Sequence, residues 1–185
     1  MKKKLGAVVG LYPTPVTVVG TVINERINWI NVAHVGVIGM DSIMLSINKI
    51  HYSNQGIIDN GTVSVNLVTE EMIVAADYVG MKTGKNTDKS EVFEVFYGEL
   101  DNAPMIKQSP LCMECRVTDI YDSGTHNNFI LKVVNTYVSE DKLSDTGKID
   151  FEKVQPVLFE MPNMQYLSTG KKVGKCWSDG KKYEK

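Results

Sequence analysis

The stretch SINKIHYS, residues 46–53, gathers polar groups at the point where an apolar, strand-like run ends. Asn48, Lys49 and Ser53 offer an amide, an ammonium group and a hydroxyl beside a predicted short helix. A helix N-terminus presents unpaired backbone N–H groups and a partial positive charge, so these residue types can hold a phosphate. The alternative is that Ser53 only caps the helix and that Lys49 is a solvated surface lysine.

The spacing Cys112-x-x-Cys115 is typical of a thioredoxin-like redox pair or of half a zinc site. A redox pair works best at a helix N-terminus, which lowers the pKa of the first thiol. Here the motif lies in a predicted strand, where residues i and i+3 point to opposite faces. A zinc site needs two more ligands, and the remaining cysteine and the histidines are scattered along the sequence. The pattern therefore favours two structural cysteines and no metal site.

The three histidines, His34, His51 and His126, show none of the spacings of catalytic or metal-binding motifs. His34 is expected on a strand, partly buried, and His126 near the tip of a hairpin. We find no G-x-S-x-G elbow, no Walker loop and no strand–G-x-G-x-x-G–helix fingerprint in the sequence. Taken singly, these residues do not define a reaction.

Strands dominate the elements that must position these residues. Runs rich in β-branched residues, or alternating between apolar and polar residues, predict strands at 16–23, 27–38, 42–48, 62–68, 111–122 and 128–138. The last two flank the polar turn 123–127 and predict a hairpin.

Short helices are predicted at 52–61 and 69–80, with Ser53 and Thr69 as their N-caps. Because the strands between residues 16 and 48 follow one another without helices, a doubly wound parallel sheet is disfavoured. We therefore expect a mostly β fold, a β-barrel with short helices, and a single domain over residues 1–185.

The composition is that of an ordinary globular protein, with 43% hydrophobic and 23% charged residues and a net charge of −2. This charge does not suggest a general affinity for nucleic acid or for a membrane surface. Lys2–Lys4 and the apolar run after them imitate a signal peptide, but Pro13 and Pro15 interrupt the pattern. We expect a cytoplasmic protein, in which the cysteines stay reduced.

Several short stretches, taken together and in their order, resemble the flavin reductase-like family, and within it the flavoredoxin-type proteins. The resemblance runs from about Tyr12 to Tyr183, nearly the whole chain. The matching stretches are YPTPVTVVGT (12–21), NVAHVGV (31–37), SINKIHYSNQGI (46–57), GTVSVN (61–66), DYVG (77–80), DKSEVFEVFYGEL (88–100), APMI (103–106), SPLCMECRV (109–117) and GKCWSDGKKY (174–183).

This resemblance implies an FMN-binding split β-barrel and a set of site residues. The residues expected to bind FMN are Asn31, Val32, Ala33 and His34 along the isoalloxazine ring, Ser46, Ile47, Asn48, Lys49, Tyr52 and Ser53 at the ribityl chain and phosphate, and Val65 and Asn66 near the ring or ribityl chain. His126 would lie on the nicotinamide side and is the expected catalytic residue. His34 stands where such sequences commonly have tryptophan, a departure that bears on ring stacking and flavin potential.

The resemblance also implies a flavoprotein oxidoreductase in which NADH or NADPH passes hydride to bound FMN. The alternative is a flavoredoxin-like electron-transfer protein that a partner protein reduces. A third reading, a barrel that binds another phosphorylated ligand or a protein and no flavin, is disfavoured by the length of the match. Proteins of this kind usually dimerise, so a homodimer with flavin sites at the subunit interface is expected.

Overall fold

The computed structural model describes residues 1–183, so the last two residues of the expected domain lie outside the described residues. The described strands are, in chain order, β1 (Thr14–Pro15), β2 (Thr17–Ile23), β3 (Arg26–Val32), β4 (Val35–Val37), β5 (Ser42–Asn48), β6 (Thr62–Leu67), β7 (Val95–Phe96), β8 (Met105–Ile106), β9 (Leu111–Asp122), β10 (His126–Val138), β11 (Leu158–Glu160) and β12 (Gln165–Leu167). The mostly β prediction is confirmed.

Seven strands form one curled antiparallel sheet in the order β3-β2-β6-β9-β10-β5-β4, a half-barrel. Its two edge strands, β3 and β4, are consecutive in sequence and are joined by only Ala33 and His34. The chain therefore crosses the open seam of the barrel at this point. The single strand predicted at 27–38 is divided here, because one segment cannot lie in both edges of the sheet.

Apolar residues on the two faces of the curled sheet form two buried clusters. Val19, Leu45 and Phe129 belong to the cluster inside the half-barrel, and each is fully buried. Trp29 on β3 faces the other cluster, where it packs with Ala76 and other apolar residues. Burial of one such side chain contributes about 1.5–3 kcal/mol, so the alternation along the strands fixes which face each residue occupies.

Three α-helices are described: α1 (Ser53–Asn60), α2 (Ile73–Met81) and α3 (Phe151–Val154). The first two lie where the sequence predicts helices, and α1 ends at Gly61, whose φ of 63° is in the left-handed region that favours glycine. The prediction that Ser53 is an N-cap is wrong, because Ser53 is the first helical residue. Its buried hydroxyl instead accepts a hydrogen bond of 2.7 Å from the Asn28 amide.

The predicted hairpin is formed by β9 and β10, and it carries both cysteines of the C-x-x-C motif. Cys112 and Cys115 are buried and free, and burial raises the pKa of their thiols to about 11 and about 12, respectively. Protonated interior thiols are weak nucleophiles and poor metal ligands. The two cysteines therefore have the structural position that the strand pattern predicts.

Two smaller sheets complete the described chain. The order β1-β11-β12 forms a three-stranded sheet, and β7 pairs with β8. The three-stranded sheet supplies Phe159 and Tyr166 to one wall of the cavity described below. No helix within residues 1–183 has both the length and the apolar character needed to cross a membrane.

Candidate functional site

A cavity of about 420 Å³ lies at the open seam of the half-barrel. Its walls come from the β3–β4 connection, from β5, from α2 and from the three-stranded sheet. The lining residues are Val16, Ile30, Asn31, Val32, Ala33, His34, Ser46, Ile47, Asn48, His51, Asp77, Gly80, Met81, His126, Phe159, Met161 and Tyr166. We call this space the seam cavity.

All three histidines of the protein line the seam cavity, although they are far apart in sequence. His34 is exposed, contrary to expectation, and its Nε2 lies 2.9 Å from the Tyr12 hydroxyl. The ring centroids of His34 and His126 are 6.5 Å apart, and His126 Nδ1 lies 2.8 Å from the Thr125 hydroxyl. Burial, followed by the charges of Lys89 and His126, lowers the pKa of His51, so its neutral form is favoured.

Two adjacent chain segments line the seam cavity. Residues 31–34 cross the barrel seam, and the backbone N–H of Ser46 donates to the carbonyl of His34 at 2.9 Å. On β5 the side chain of Ile47 is buried in the core, so alternation directs Ser46 and Asn48 to the opposite face. The expected ring-binding and ribityl-binding segments are thus brought together in one cavity.

A hydrogen-bonded group of three side chains forms the far wall of the seam cavity. The Tyr166 hydroxyl donates to Asp77 Oδ1 at 2.7 Å and accepts from Asn31 Nδ2 at 3.2 Å. Burial, then the bond to Asp77 and its negative charge, raise the pKa of Tyr166 to about 12. The phenol is therefore protonated at neutral pH, and its hydrogen bond partly offsets the carboxylate charge at this wall.

A small recess of about 20 Å³ adjoins the seam cavity and shares Ile30, His51 and Gly80 with it. Its other lining residues are Tyr52, Ser53, Lys82, Thr83, Gly84 and Lys89. A cation, hydroxyl groups and the first turn of α1 therefore meet beside the larger cavity. This combination of groups is suited to a phosphate.

Lys89 is a buried cation at the base of this recess. Its Nζ donates to the backbone carbonyls of Trp29, Val79 and Lys82, the last two at 3.0 Å each. Burial lowers the pKa of Lys89 to about 8, which still leaves most of the ammonium charged at neutral pH. By accepting these bonds, the carbonyls at the end of α2 are satisfied and the 82–89 loop is held against β3.

The structure separates the predicted site residues into four groups. Asn31, Val32, Ala33, His34, Ser46, Ile47, Asn48 and His126 line the seam cavity, whereas Tyr52 and Ser53 line the recess. Lys49 extends to the β9–β10 hairpin, where its Nζ lies 2.7 Å from both carboxylate oxygens of Asp122. Val65 and Asn66 are fully buried inside β6.

The position of Asn66 has a structural explanation. Its amide nitrogen donates to the carbonyl of Val18 at 2.9 Å, and its amide oxygen accepts from the backbone N–H of Ile106 at 3.0 Å. Asn66 therefore links β2, β6 and β8 in the interior. The expectation that Val65 and Asn66 touch the ligand stays a prediction.

Sequence reasoning missed several lining residues. Asp77 and Gly80 belong to the matching stretch DYVG, but nothing in that stretch alone indicates a site. Phe159 and Tyr166 lie on β11 and β12 of the three-stranded sheet, and Met161 lies in the turn between them; the sequence did not resolve these elements. Thr83 lies in a polar loop and lines the recess. Its position beside Gly84, shortly before the matching stretch that begins at residue 88, is the one sequence feature that could have indicated a role in the site.

The part of the chain that the structure describes contains no candidate metal site. No group of three or more His, Cys, Asp or Glu side chains there is arranged to hold a metal ion. The three histidines share a cavity but lie along its rim. The seam cavity combines apolar side chains with polar groups, as small-molecule sites usually do.

The half-barrel and its seam cavity define a split β-barrel protein. The profile of the "flavin reductase like domain" matches residues 9–164. Flavoredoxin from Methanosarcina acetivorans shares 36% identity and a TM-score of 0.94, over 99% of both chains. Flavoredoxin of Desulfovibrio vulgaris (Miyazaki F) shares 31% identity and a TM-score of 0.90, over 97% of this chain and 100% of that one. The chain belongs to the flavin reductase-like family.

A more distant structure supports the fold alone. An FMN-binding protein from Thermus thermophilus shares 17% identity and a TM-score of 0.79, over 95% of this chain and 98% of that one. A comparison with curated proteins gave no match. The predicted family and the predicted split-barrel fold are both confirmed.

Proposed function

We propose that the protein binds FMN in the seam cavity and acts as an NAD(P)H-dependent flavin oxidoreductase. The observation that carries this proposal is the meeting of residues 31–34 with Ser46 and Asn48 in one cavity, beside a recess that suits a phosphate. The cavity volume of about 420 Å³ lies within the range of cofactor sites. Membership of the flavin reductase-like family also supports this proposal.

The residues present fit the chemical groups of FMN. Backbone groups of residues 31–34 at the seam would meet the ring, and Ser46 and Asn48 would hydrogen-bond the ribityl hydroxyls. The phosphate would lie at the mouth of the recess, because the recess itself has room for about one water molecule. There it would meet Ser53, Thr83 and the α1 N-terminus, with Lys89 supplying nearby positive charge.

The bound flavin would supply hydride acceptance, and the protein would supply binding, orientation and exclusion of water. His126 lies on the rim, where it would orient the nicotinamide of the donor. His34, held by the Tyr12 hydroxyl, would contact the ring in place of an indole. Tyr166 and Asp77 would set the electrostatic environment from the far wall.

A second function is favoured by one specific observation. Two structures above 30% identity, those described above, are flavoredoxins, so an electron carrier that a partner protein reduces is the alternative. In that case the seam cavity holds the same cofactor, and only the electron donor differs. We further propose a homodimer, because β4 and the cavity lining expose apolar side chains such as Val37 and Met161. We also propose a cytoplasmic location, where the free cysteines would stay reduced.

The visible spectrum of the purified protein, followed by anaerobic addition of NADH or NADPH, tests this proposal. A flavin spectrum that bleaches with either nucleotide supports the oxidoreductase. A flavin spectrum that bleaches with dithionite but not with the nucleotides supports the carrier. A colourless protein that takes up no FMN on titration would overturn both.

A further inference from the structure

Residues 175–183 form a small ordered turn that presents a tryptophan to solvent. The Asp179 carboxylate accepts from the backbone N–H of Lys175 at 2.7 Å, and the backbone N–H of Asp179 donates to the carbonyl of Lys175 at 3.1 Å. A 3₁₀ helix, Asp179–Tyr183, follows. Inside this turn the side chain of Trp177 is 97% exposed. We call residues 175–183 the Trp177 turn.

The backbone conformation and the exposure of Trp177 are both energetically unfavourable in an isolated chain. Its φ of 55° lies in the left-handed region, which is unfavourable for a bulky side chain by roughly 1–2 kcal/mol. Exposure of the indole also forgoes the largest apolar burial that any side chain offers. Val173, just before the turn, is 96% exposed as well. Burial against another surface would compensate for this cost.

The charge of the chain is divided between its body and its two end segments. Residues 12–167 carry eleven basic and twenty acidic side chains, a net charge of −9. Residues 1–11 carry three lysines, and residues 168–183 carry five lysines and one aspartate. The segment that bears Trp177 is therefore complementary in charge to the body.

One groove on the body combines negative charge with apolar surface, the two properties needed to bind a basic turn that carries an aromatic side chain. This groove, of about 510 Å³, lies beside the β2–β3 turn, and its described lining has three carboxylates, Glu25, Asp59 and Asp101, and no basic side chain. Its apolar lining residues are Val22, Ile23, Ile27 and Tyr97. The seam cavity has one carboxylate, and a third cavity is lined by Arg26 and Lys85. We call the 510 Å³ space the acidic groove.

We propose that the Trp177 turn of one copy docks in the acidic groove of a second copy, with the indole on the apolar floor and Lys175 and Lys181 facing the carboxylates. Lys182 is paired with Asp179 of its own turn at 3.1 Å. Two contacts near the base of the segment hold it to its own body: the Thr169 hydroxyl donates to the carbonyl of Pro156, and the backbone N–H of Lys172 donates to Glu152. Beyond them, residues 173–183 are exposed except for the half-buried Ser178. This contact goes beyond a homodimer formed through the flavin sites, because it links a different pair of surfaces.

Tryptophan fluorescence tests the docking in the full-length protein. The chain has two tryptophans, and Trp29 is fully buried, so Trp177→Phe isolates the signal of Trp29 and the difference reports on Trp177. We expect the Trp177 emission to shift to shorter wavelength, and acrylamide quenching to fall several-fold, as protein concentration rises through the association range. Quenching that stays high in the associated protein, or that is low at all concentrations, would overturn the proposal.

A charge swap provides the second test. Lys175→Glu/Lys181→Glu and, separately, Asp59→Lys/Asp101→Lys should each weaken association by about tenfold or more, measured by analytical ultracentrifugation. Mixing these two variants, whose charges are again complementary, should restore association. Lys142→Glu/Lys148→Glu, outside both surfaces, is the matched control for the first variant.

Failure of the mixed pair to associate better than either variant alone would overturn the docking. FMN content and anaerobic reduction are recorded for the same samples. A protein that keeps its flavin and dimerises with Trp177 still accessible would contradict this inference alone and leave the proposed function standing.

Discussion

The ammonium group of Lys49 lies 2.7 Å from both carboxylate oxygens of Asp122, 73 residues further along the chain. This pair joins the end of β5 to the β9–β10 hairpin and directs Lys49 toward the hairpin and away from the recess. Asp122 Oδ1 also accepts from the backbone N–H of Gly124 at 2.7 Å, so the carboxylate stabilises the tight turn. The bond from Lys49, then that from Gly124, lower the pKa of Asp122.

Replacement of Lys49 by methionine and replacement of Lys89 by methionine should therefore differ in their effect on stability. Lys49→Met should keep its flavin and nearly all of its stability, since exposed ion pairs contribute little. Lys89→Met leaves three backbone carbonyls without their donor and should lower the free energy of unfolding by about 2–4 kcal/mol. Urea unfolding of the apoprotein and FMN titration measure the two effects separately.

Lys107→Met is the matched control for Lys89→Met, because Lys107 is an exposed lysine paired loosely with Glu94 at 3.7 Å. Equal loss of stability in both variants would contradict the role of Lys89. Loss of FMN from Lys49→Met would show that Lys49 leaves Asp122 when the phosphate binds.

Substitution of His126 should slow reduction without removing the flavin. His126→Ala removes the imidazole from the cavity rim, and misplacement of the donor should reduce the rate of bleaching by NADH or NADPH by about tenfold or more. Thr125→Val keeps the ring but removes its 2.8 Å bond, and should have a smaller effect in the same direction. Stopped-flow reduction under nitrogen measures both rates, and unchanged rates in His126→Ala would remove its role.

Two substitutions at the far wall should move the flavin potential in opposite directions. Tyr166→Phe removes the hydrogen bond to Asp77 and leaves a less compensated carboxylate, so negative charge on the reduced flavin is disfavoured and the potential falls. Asp77→Asn removes the charge and should raise the potential. A change on the order of 30 mV corresponds to a tenfold change for a two-electron couple. Equilibration with a reference dye measures it, and shifts of the same sign would contradict this electrostatic account.

Glu114 should make stability depend on pH. This residue is fully buried in β9 and accepts from the backbone N–H groups of Glu99 and Leu100, from the Asn135 amide and from the Tyr137 hydroxyl. Burial opposes ionisation, but these four bonds outweigh it and lower the pKa of Glu114. Glu114→Gln should lower the free energy of unfolding by about 2–3 kcal/mol at pH 7. The reason is that the new amide NH₂ group would face groups that are themselves hydrogen-bond donors.

The direction of this pH dependence follows from the lowered pKa of Glu114. Because the folded-state pKa of Glu114 is lowered, its stabilisation is complete above the unfolded pKa of about 4.3 and is lost as pH falls through the folded value. The difference in unfolding free energy between wild type and Glu114→Gln should therefore shrink below about pH 4.3. Glu94→Gln, at an exposed position, should show no such dependence, and a constant difference for Glu114→Gln would rule out ionisation.

Local patterns in the sequence predicted the fold well because they depend on near neighbours. Alternation at 42–48 and 62–68, and the paired runs on either side of residues 123–127, identified β5, β6 and the β9–β10 hairpin. The error at Ser53 came from the same source: a hydroxyl before a helix is a good cap, but Asn28, distant in sequence, provides its partner. The division of the strand at 27–38 likewise depends on closure of the sheet.

The candidate site was predicted where it follows the backbone and missed where it depends on packing. Residues 31–34 and 46–48 line the seam cavity because the path of their strands determines their place. Lys49 was assigned to a phosphate because its charge is visible in the sequence, whereas the carboxylate that binds it is not adjacent in sequence. Tyr166 and Asp77, 89 residues apart, form a pair that no local pattern could reveal.

The sequence by itself determined the class of fold, the family and two segments that line the seam cavity, since these depend on alternation, turn residues and the order of short motifs. Only the tertiary structure decided that three scattered histidines share one cavity, that Lys89 and not Lys49 lies at the recess, and that Asn66 links three strands in the interior. Side-chain roles of this kind depend on which distant groups the folded chain brings within a few ångströms, and hydrogen bonds and charges act only over such distances.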